Sequence, residues 1–527
     1  MSAMELEKGG VTQTKDEELL ASLGYKQEFR REFAWYELLG LAFSIIGIVQ
    51  SVASVLVYSI PNGGPAAMVW GWFTCCIFLM SIALAIAELA SAAPTSGGLY
   101  YWSFNFSSKR YRRILCWLVG YSNSIAYIAA FASADYATSL QIFAAVTIGS
   151  NGTFIPTTGQ IYGLFCGLVV FHAILSSAAT KFIARIQIFY MALNILIFVA
   201  LLIALPVATP PEFKNSASFV FGNFQNLTLW PSGFAFLLSF LAPAWVIGGI
   251  DSSVHISEEV KNANVAVPRS IIVSTGLGCV LGWGFIVSVA FNMGTDLISI
   301  LSNPIGQPMA TILFNSLGLK GTLAVFSLII VTINMASMNV LVATSRQIFA
   351  FSRDGALPLS KYLYRINSYT GTPVIAVMFS ATGAMLLGLL SFAGPAAIGA
   401  IFTMGVVCTY IAYSIPIAVR HIGGQNFTPG PFSLGIFSPL VAFVALGYMT
   451  VMIVILIFPT EPAPTAENMN YTVVVVGGIL VLSTIYYFLP GIGGRHWFTG
   501  PVRTVVDPVP SIKDGADSLS EKDSQQN

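Results

Sequence analysis

The sequence predicts an all-α membrane protein of twelve transmembrane helices, built as a 5+5 inverted repeat followed by two more helices. Three observations carry this. Only 47 of 527 residues are charged, or 9%, against roughly 130 at the quarter typical of soluble chains. Hydrophobic residues reach 55% and mean hydropathy is +0.77, so no aqueous surface could be covered. Lysine and arginine then segregate to one side of the predicted spans. The net charge of +1 excludes a basic nucleic-acid-binding protein. The six cysteines lie in apolar stretches, without the paired spacing of a zinc site.

A span needs roughly 20 mostly apolar residues. Twelve stretches qualify, at about 36–60, 66–91, 114–147, 160–179, 183–206, 231–256, 269–294, 320–350, 373–392, 395–420, 436–459 and 471–490. Residues 1–35 are polar and predict an N-terminal tail without a cleaved signal peptide. Residues 491–527, ending SLSEKDSQQN, predict a disordered C-terminal tail. With the N-terminus inside, 22 of the 24 lysines and arginines fall on the cytoplasmic side. Lys214 and Lys320 are the exceptions. Because cytoplasmic loops carry the excess of Lys and Arg, both termini are expected in the cytoplasm. N-x-T sequons at Asn151, Asn226 and Asn470 fall outside and are glycosylation candidates, whereas the Asn105 sequon falls inside.

Helix 1 reads GLAFSIIGIVQSVASVLVYSIP, interrupted at Gly40 and Gly47. Helix 6 reads GFAFLLSFLAPAWVIGGIDSSVHISEE, interrupted at Pro243 and at Gly248-Gly249. Backbone freed at mid-membrane is tolerable only where it lines a cavity or a solute. The two helices are five apart, an odd number, so the second five-helix unit would be inverted relative to the first. The expected units are 36–206 and 231–420, with helices 11 and 12 in 436–490. Each break offers one partly positive and one partly negative half-helix end, which suits a solute carrying both charges. Close helix packing is the other reading of such small residues. The candidate site residues are Ser44, Ile45, Gly47, Ile48 and Gln50 on helix 1, with Trp245, Gly248, Gly249 and Asp251 on helix 6.

Ionisable groups inside a membrane are expensive, so each is a candidate. Asp135 on helix 3 is read as a counter-ion for a substrate amine, or as a hydrogen-bonded aspartate joining helices. Asp251, His255, Glu258 and Glu259 share one face at 3.6 residues per turn. Such a carboxylate–imidazole ladder could carry a proton or gate the inner mouth. The other reading is a solvated helix end paired with Lys261 or Arg269. Glu88 is expected to pair with a basic loop residue, and His172 to be a packed histidine. Arg353 and Asp354, beside a Gly-containing turn, are read as a hinge or latch. Trp245, Phe240 and Tyr136 are candidates for an apolar lid.

Several strings make the sequence recognisable. They are LGYKQEFRREF, NGGPAAMVWGW, AELASAAPTSGGLYYW, VGYSNSIAY, WPSGFAF, IDSSVHISEEVKNANVAVPRSI, SRQIFAFSRDGALP and GPFSLG. The chain resembles the amino acid–polyamine–organocation superfamily from about residue 20 to 490. Within it, the fungal amino acid/choline transporter group and its GABA-permease-type proteins are most similar. Gln50 departs from the proline common there, which leaves the substrate open. The resemblance implies a LeuT-like fold, a central site between helices 1, 3, 6, 8 and 10, and uptake coupled to protons. Some proton-coupled relatives place a lysine on helix 5; here Asn194 stands nearest that position. Ser337 and Asn339 on helix 8 lie near the ion position of sodium-coupled relatives. An asparagine cannot titrate, so the proton carrier is unassigned and sodium coupling stays open.

The expected function is import of a small amino acid or GABA-like zwitterion by proton symport, with no cofactor and no enzymatic chemistry. No phosphate loop of the G-x-x-x-x-G-K-S/T type occurs. A carrier of choline, a polyamine or thiamine is the alternative. A nutrient sensor on a transporter scaffold is the alternative of another class. The plasma membrane is the expected location, with the vacuolar membrane second.

Overall fold

The computed structural model describes residues 15–178, 180–465 and 468–505. Among these, ten helices are long and apolar enough to cross a membrane. Two shorter apolar helices, Ser232–Val246 and Thr472–Phe488, take the sixth and twelfth positions. Numbered together in chain order, helix 1 is Trp35–Ser59, helix 2 Gly64–Ala92 and helix 3 Arg112–Gly149. Helix 4 is Thr158–Ala178 and helix 5 Thr180–Ala208. Helix 6 begins at Ser232, and helix 7 is Ala263–Phe291. Helix 8 ends at Arg353, helix 9 is Val374–Gly388, helix 10 Pro395–Ile422, helix 11 Ser438–Leu456 and helix 12 Thr472–Phe488. The stretch Pro308–Arg353 is two helical pieces meeting at a kink at Gly318, φ 64°, so the long second piece begins close to the expected residue 320.

Helix 3 packs along helices 8 and 10, and helix 2 along helix 7. Helix 4 meets helix 9, and residues Ile48–Ser59 of helix 1 meet Leu241–Val246 of helix 6. Large apolar side chains such as Leu196, Ile203, Phe443 and Leu482 point outward. The interior holds much of the polar inventory, Ser122, Asn123, Gln141, Asn339 and Arg346 among it. That distribution fits a hydrocarbon surround, where polar groups must be satisfied inside the protein.

Both ends of the described chain meet on one face. Thr504 N–H donates to the Gly24 carbonyl at 2.8 Å, and Thr504 Oγ1 accepts from Lys26 N–H at 2.7 Å. The N-terminal segment is not merely a polar tail. Lys15–Ser22 is helical, and Phe33 pairs with residues 259–261 through two backbone hydrogen bonds. The first part of the expected disordered C-terminal tail is likewise docked, with Trp497 and Phe498 against Trp117. The remainder, like residues 1–14, lies outside the described residues.

Candidate functional site

Helix 1 breaks at one residue. Gly47 takes φ 39°, a left-handed value, between helical pieces Trp35–Ile46 and Ile48–Ser59. A side chain there would meet Gln50 Nε2 at 1.8 Å and displace it, and the left-handed φ itself favours glycine. Gly40 does not break the helix; it sits inside the first piece against the Gln187 backbone. The second piece makes its first hydrogen bond from Ser51 N–H to the Gly47 carbonyl. The N–H groups of Ile48, Val49 and Gln50 therefore lack intrahelical partners, at a positive helix end.

Helix 6 breaks between Leu241–Val246 and Ser252–His255, then finishes as a 3-10 turn, Ser257–Glu259. Pro243 lies within a helical piece, so the interruption is at Gly248-Gly249 and not at the proline. Gly249 has φ 69°, and its Cα faces the Ile45 side chain at 3.3 Å from an ideal Cβ. The two breaks thus meet.

A cavity opens where they meet. Its walls include Ile45, Ser51, Tyr127, Trp245, Gly248, Gly249, Thr409, Tyr410 and Tyr413. Among its described lining residues none is charged. Trp245 donates from Nε1 to Ser133 Oγ at 3.1 Å and meets Phe402 as a tilted pair with centroids 5.3 Å apart. Phe402 in turn meets Tyr58 at 5.2 Å. This aromatic wall separates the central cavity from a second one lined by Tyr58, Leu241, Thr403 and Asn470, on the face opposite the termini.

On the tail-bearing side, Asp251 is buried behind the cavity. Its Oδ1 accepts from Tyr127 OH at 2.7 Å and Tyr413 OH at 2.6 Å. Its Oδ2 lies 2.9 Å from His255 Nε2. The expected ladder then divides, because the helix loosens after His255. Glu258 and Glu259 are buried, not solvated, and their partners are not Lys261 or Arg269. Glu258 pairs with Arg353 at 3.0 Å, and Glu259 with Arg346 at 2.8 Å. Arg353 and its neighbour Asp354 do not pair with each other. Asp354 accepts from Tyr100 OH at 2.7 Å, Tyr25 OH at 3.2 Å and Val502 N–H at 2.9 Å. Burial pushes the Asp354 carboxyl up to about 6, with Arg353 opposing.

Other candidates sit elsewhere. Asp135 is not in the cavity wall; it holds His172 Nδ1 at 3.0 Å, buried between helices 3 and 4. Asn194 Oδ1 accepts from Gln50 Nε2 at 2.7 Å, and Asn339 exchanges two hydrogen bonds with Gln187. Ser44 and Ser337 are buried with hydroxyls that have no partner among the described residues. Ile48 is buried in the helix 1 core. Glu88 pairs with Arg420 at 3.4 Å and accepts from Ser438. Asn151 is exposed in a turn at φ 52°. The Asn226 and Asn470 amides donate to the carbonyls of Trp230 and Leu456.

Sequence reasoning did not single out Tyr127, Asn123 or Tyr413. The first two stand four apart in VGYSNSIAY, on one face of helix 3. Tyr413 carried no comparable signal.

The amino acid permease family pattern matches residues 36–480. A "GABA-specific permease" of Saccharomyces cerevisiae is 39% identical over 510 residues, 96% of this chain and 89% of that protein. An amino-acid permease of Schizosaccharomyces pombe is 38% identical over 492 residues, covering 93% and 89%. "Amino-acid permease 2" of Neurospora crassa is 35% identical over 488 residues, covering 92% and 88%.

Proposed function

The chain belongs to the amino acid permease family, and from that premise we propose that it imports a small zwitterionic amino acid, or GABA, by proton symport and alternating access. The observation that carries this reading is the meeting of two helix breaks at a cavity whose described lining has no charged side chain. A solute with both charges can be held there by helix ends alone. Its carboxylate accepts from the free N–H groups at Ile48 to Gln50, and its amine faces the carbonyls ending Leu241–Val246. Trp245 and Phe402 close the cavity on the outer side. The pairing of helix 2 with 7, 3 with 8 and 4 with 9 supports two inverted five-helix units, 36–206 and 231–420, with helices 11 and 12 added.

The excess of Lys and Arg on the tail-bearing face supports a cytoplasmic assignment for both termini. Asn151, Asn226 and Asn470 then lie outside as glycosylation candidates, in the plasma membrane. Rocking of helices 1, 2, 6 and 7 opens the inner side. At 100 mV one proton supplies about 2.3 kcal/mol, roughly a fifty-fold accumulation.

The four aromatic side chains in the wall, Tyr127, Trp245, Tyr410 and Tyr413, favour an organic cation such as choline as the second reading. One experiment separates the two: counterflow into proteoliposomes, screening amino acids, GABA, choline and polyamines at two pH values, with and without sodium. Exchange of choline but of no zwitterion would overturn the amino acid reading.

A further inference from the structure

Asp251 and His255 are both buried, and their hydrogen bonds allow protons to be counted atom by atom. His255 Nδ1 lies 2.8 Å from the Ser96 carbonyl oxygen. A carbonyl only accepts, so Nδ1 carries hydrogen. Asp251 Oδ1 is already occupied by two tyrosine hydroxyls. At 2.9 Å, Oδ2 and Nε2 cannot face each other as two bare lone pairs. One proton lies between them. The pair holds it either as carboxylate and imidazolium or as carboxylic acid and imidazole, so the proton belongs to both residues. Asn123 suits both forms. Its Nδ2 lies 2.9 Å from the same Nε2, and its Oδ1 has no partner among the described residues. A half-turn of that amide exchanges donor for acceptor.

We propose that Asp251 and His255 form the proton-binding site of the transport cycle, and that Tyr127 and Tyr413 report its loading to the substrate cavity. The assignment rests on the proton-symport reading above. Both tyrosines line the cavity while their hydroxyls hold Oδ1, so solute and proton share two side chains. Asp251 and His255 belong to helix 6, whereas Tyr127 and Asn123 belong to helix 3 and Tyr413 to helix 10. The proton's ligands therefore bridge elements that alternating access must separate. Loaded, the pair is neutral overall and its bonds dock helix 6 on helices 3 and 10. Unloaded, it leaves one buried negative charge beside a nitrogen lone pair, which favours separation and hydration. The proton leaves to water from Oδ2 or Nε2 as the tail-bearing face opens.

Among the described residues, the charged groups nearby are held by other partners. From its own segment come Glu258 and Glu259, which are held by Arg353 and Arg346 of helix 8. Helix 3 presents Tyr127 and Asn123, helix 10 presents Tyr413, and the turn after helix 2 presents the Ser96 carbonyl. Helix 7 offers Ser270, hydrogen-bonded to Ser253, and Arg269, stacked on Trp35 of helix 1 at 4.2 Å.

The test uses the full chain in proteoliposomes, with the substrate found by counterflow. Protons and substrate are measured together, the protons with a trapped pH dye, and their ratio is taken so that overall rate drops out. The wild type is expected to carry about one proton per substrate. Asp251→Asn and His255→Gln are expected to lower that ratio at least tenfold. Tyr127→Phe and Tyr413→Phe keep the ratio near one but flatten the pH dependence of the apparent KM severalfold. A wild type that carries protons while both polar variants keep its ratio overturns this assignment alone. A wild type that moves substrate without protons overturns the symport reading and this one with it. Should the polar variants fail to fold, Asp251→Glu keeps a titrating group one methylene away. Its coupling pH profile is expected to shift, and an unshifted profile overturns the proposal.

Discussion

Arg353 grips both oxygens of Glu258, at 3.0 Å from Nη1 to Oε2 and 3.1 Å from Nη2 to Oε1, with neither side chain exposed. Glu258 Oε1 also accepts from Ser96 N–H at 3.1 Å. The Arg353 guanidinium lies 3.9 Å over the Tyr25 ring. One ion pair thus joins helix 6, helix 8, the turn after helix 2 and the N-terminal segment. Removing one partner leaves a buried charge, which costs about 3–5 kcal/mol. Arg353→Gln and Glu258→Gln are each expected to lower the melting temperature in detergent sharply. The double variant should recover much of the loss. Additive losses in the double variant would contradict this.

Gly47→Ala should lower the melting temperature and the yield of folded protein, because a methyl group displaces the Gln50 amide and crowds the Ser44 carbonyl at 3.0 Å. The left-handed φ adds strain of about 1–2 kcal/mol. Gly167→Ala on helix 4 is the control, with nothing within 4 Å of the added carbon. It should leave yield unchanged or raised on size-exclusion chromatography.

Asp354 predicts a pH response at the tail-bearing face. Its carboxyl is pushed up to about 6 in the folded protein, chiefly by burial, from the ordinary value of 3.8. The folded state therefore binds this proton more tightly than the unfolded one. Its contribution to stability is greatest below about 4, falls as pH rises to about 6 and is flat above. The gap corresponds to about 3 kcal/mol. Asp354→Asn should be more stable than wild type at pH 7.5, and the difference in melting temperature should close on acidification to pH 4. A difference independent of pH would refute the assignment.

Asp135→Asn should weaken the contact with His172 and lower the melting temperature by a few degrees. The order in which competing solutes inhibit uptake should stay as in wild type, because Asp135 stands outside the cavity wall. A reordered preference would return Asp135 to the substrate.

Much of this molecule is legible before folding. The spans follow from runs of apolar residues, and Gly47 and Gly248-Gly249 mark the breaks because glycine tolerates the backbone they need. The Asp251–His255 contact follows from four-residue spacing. The fates of Glu258 and Glu259 do not, since the helix loosens into a 3-10 turn and sends them to different arginines. Asp135 was ambiguous for a related reason. Only the position of His172, on another helix, separates a counter-ion from an inter-helix bond.

The sequence alone determined that this chain lives in a bilayer, how often it turns apolar and where its backbone must open, because these depend on local hydropathy and local sterics. Partnership was decided by tertiary structure. Which hydroxyls reach Asp251, which arginine neutralises which glutamate and how the described terminal segments meet all depend on contacts between residues 87 to 478 positions apart. In a low-dielectric interior each buried charge must find such a partner, and only the packed helices specify which.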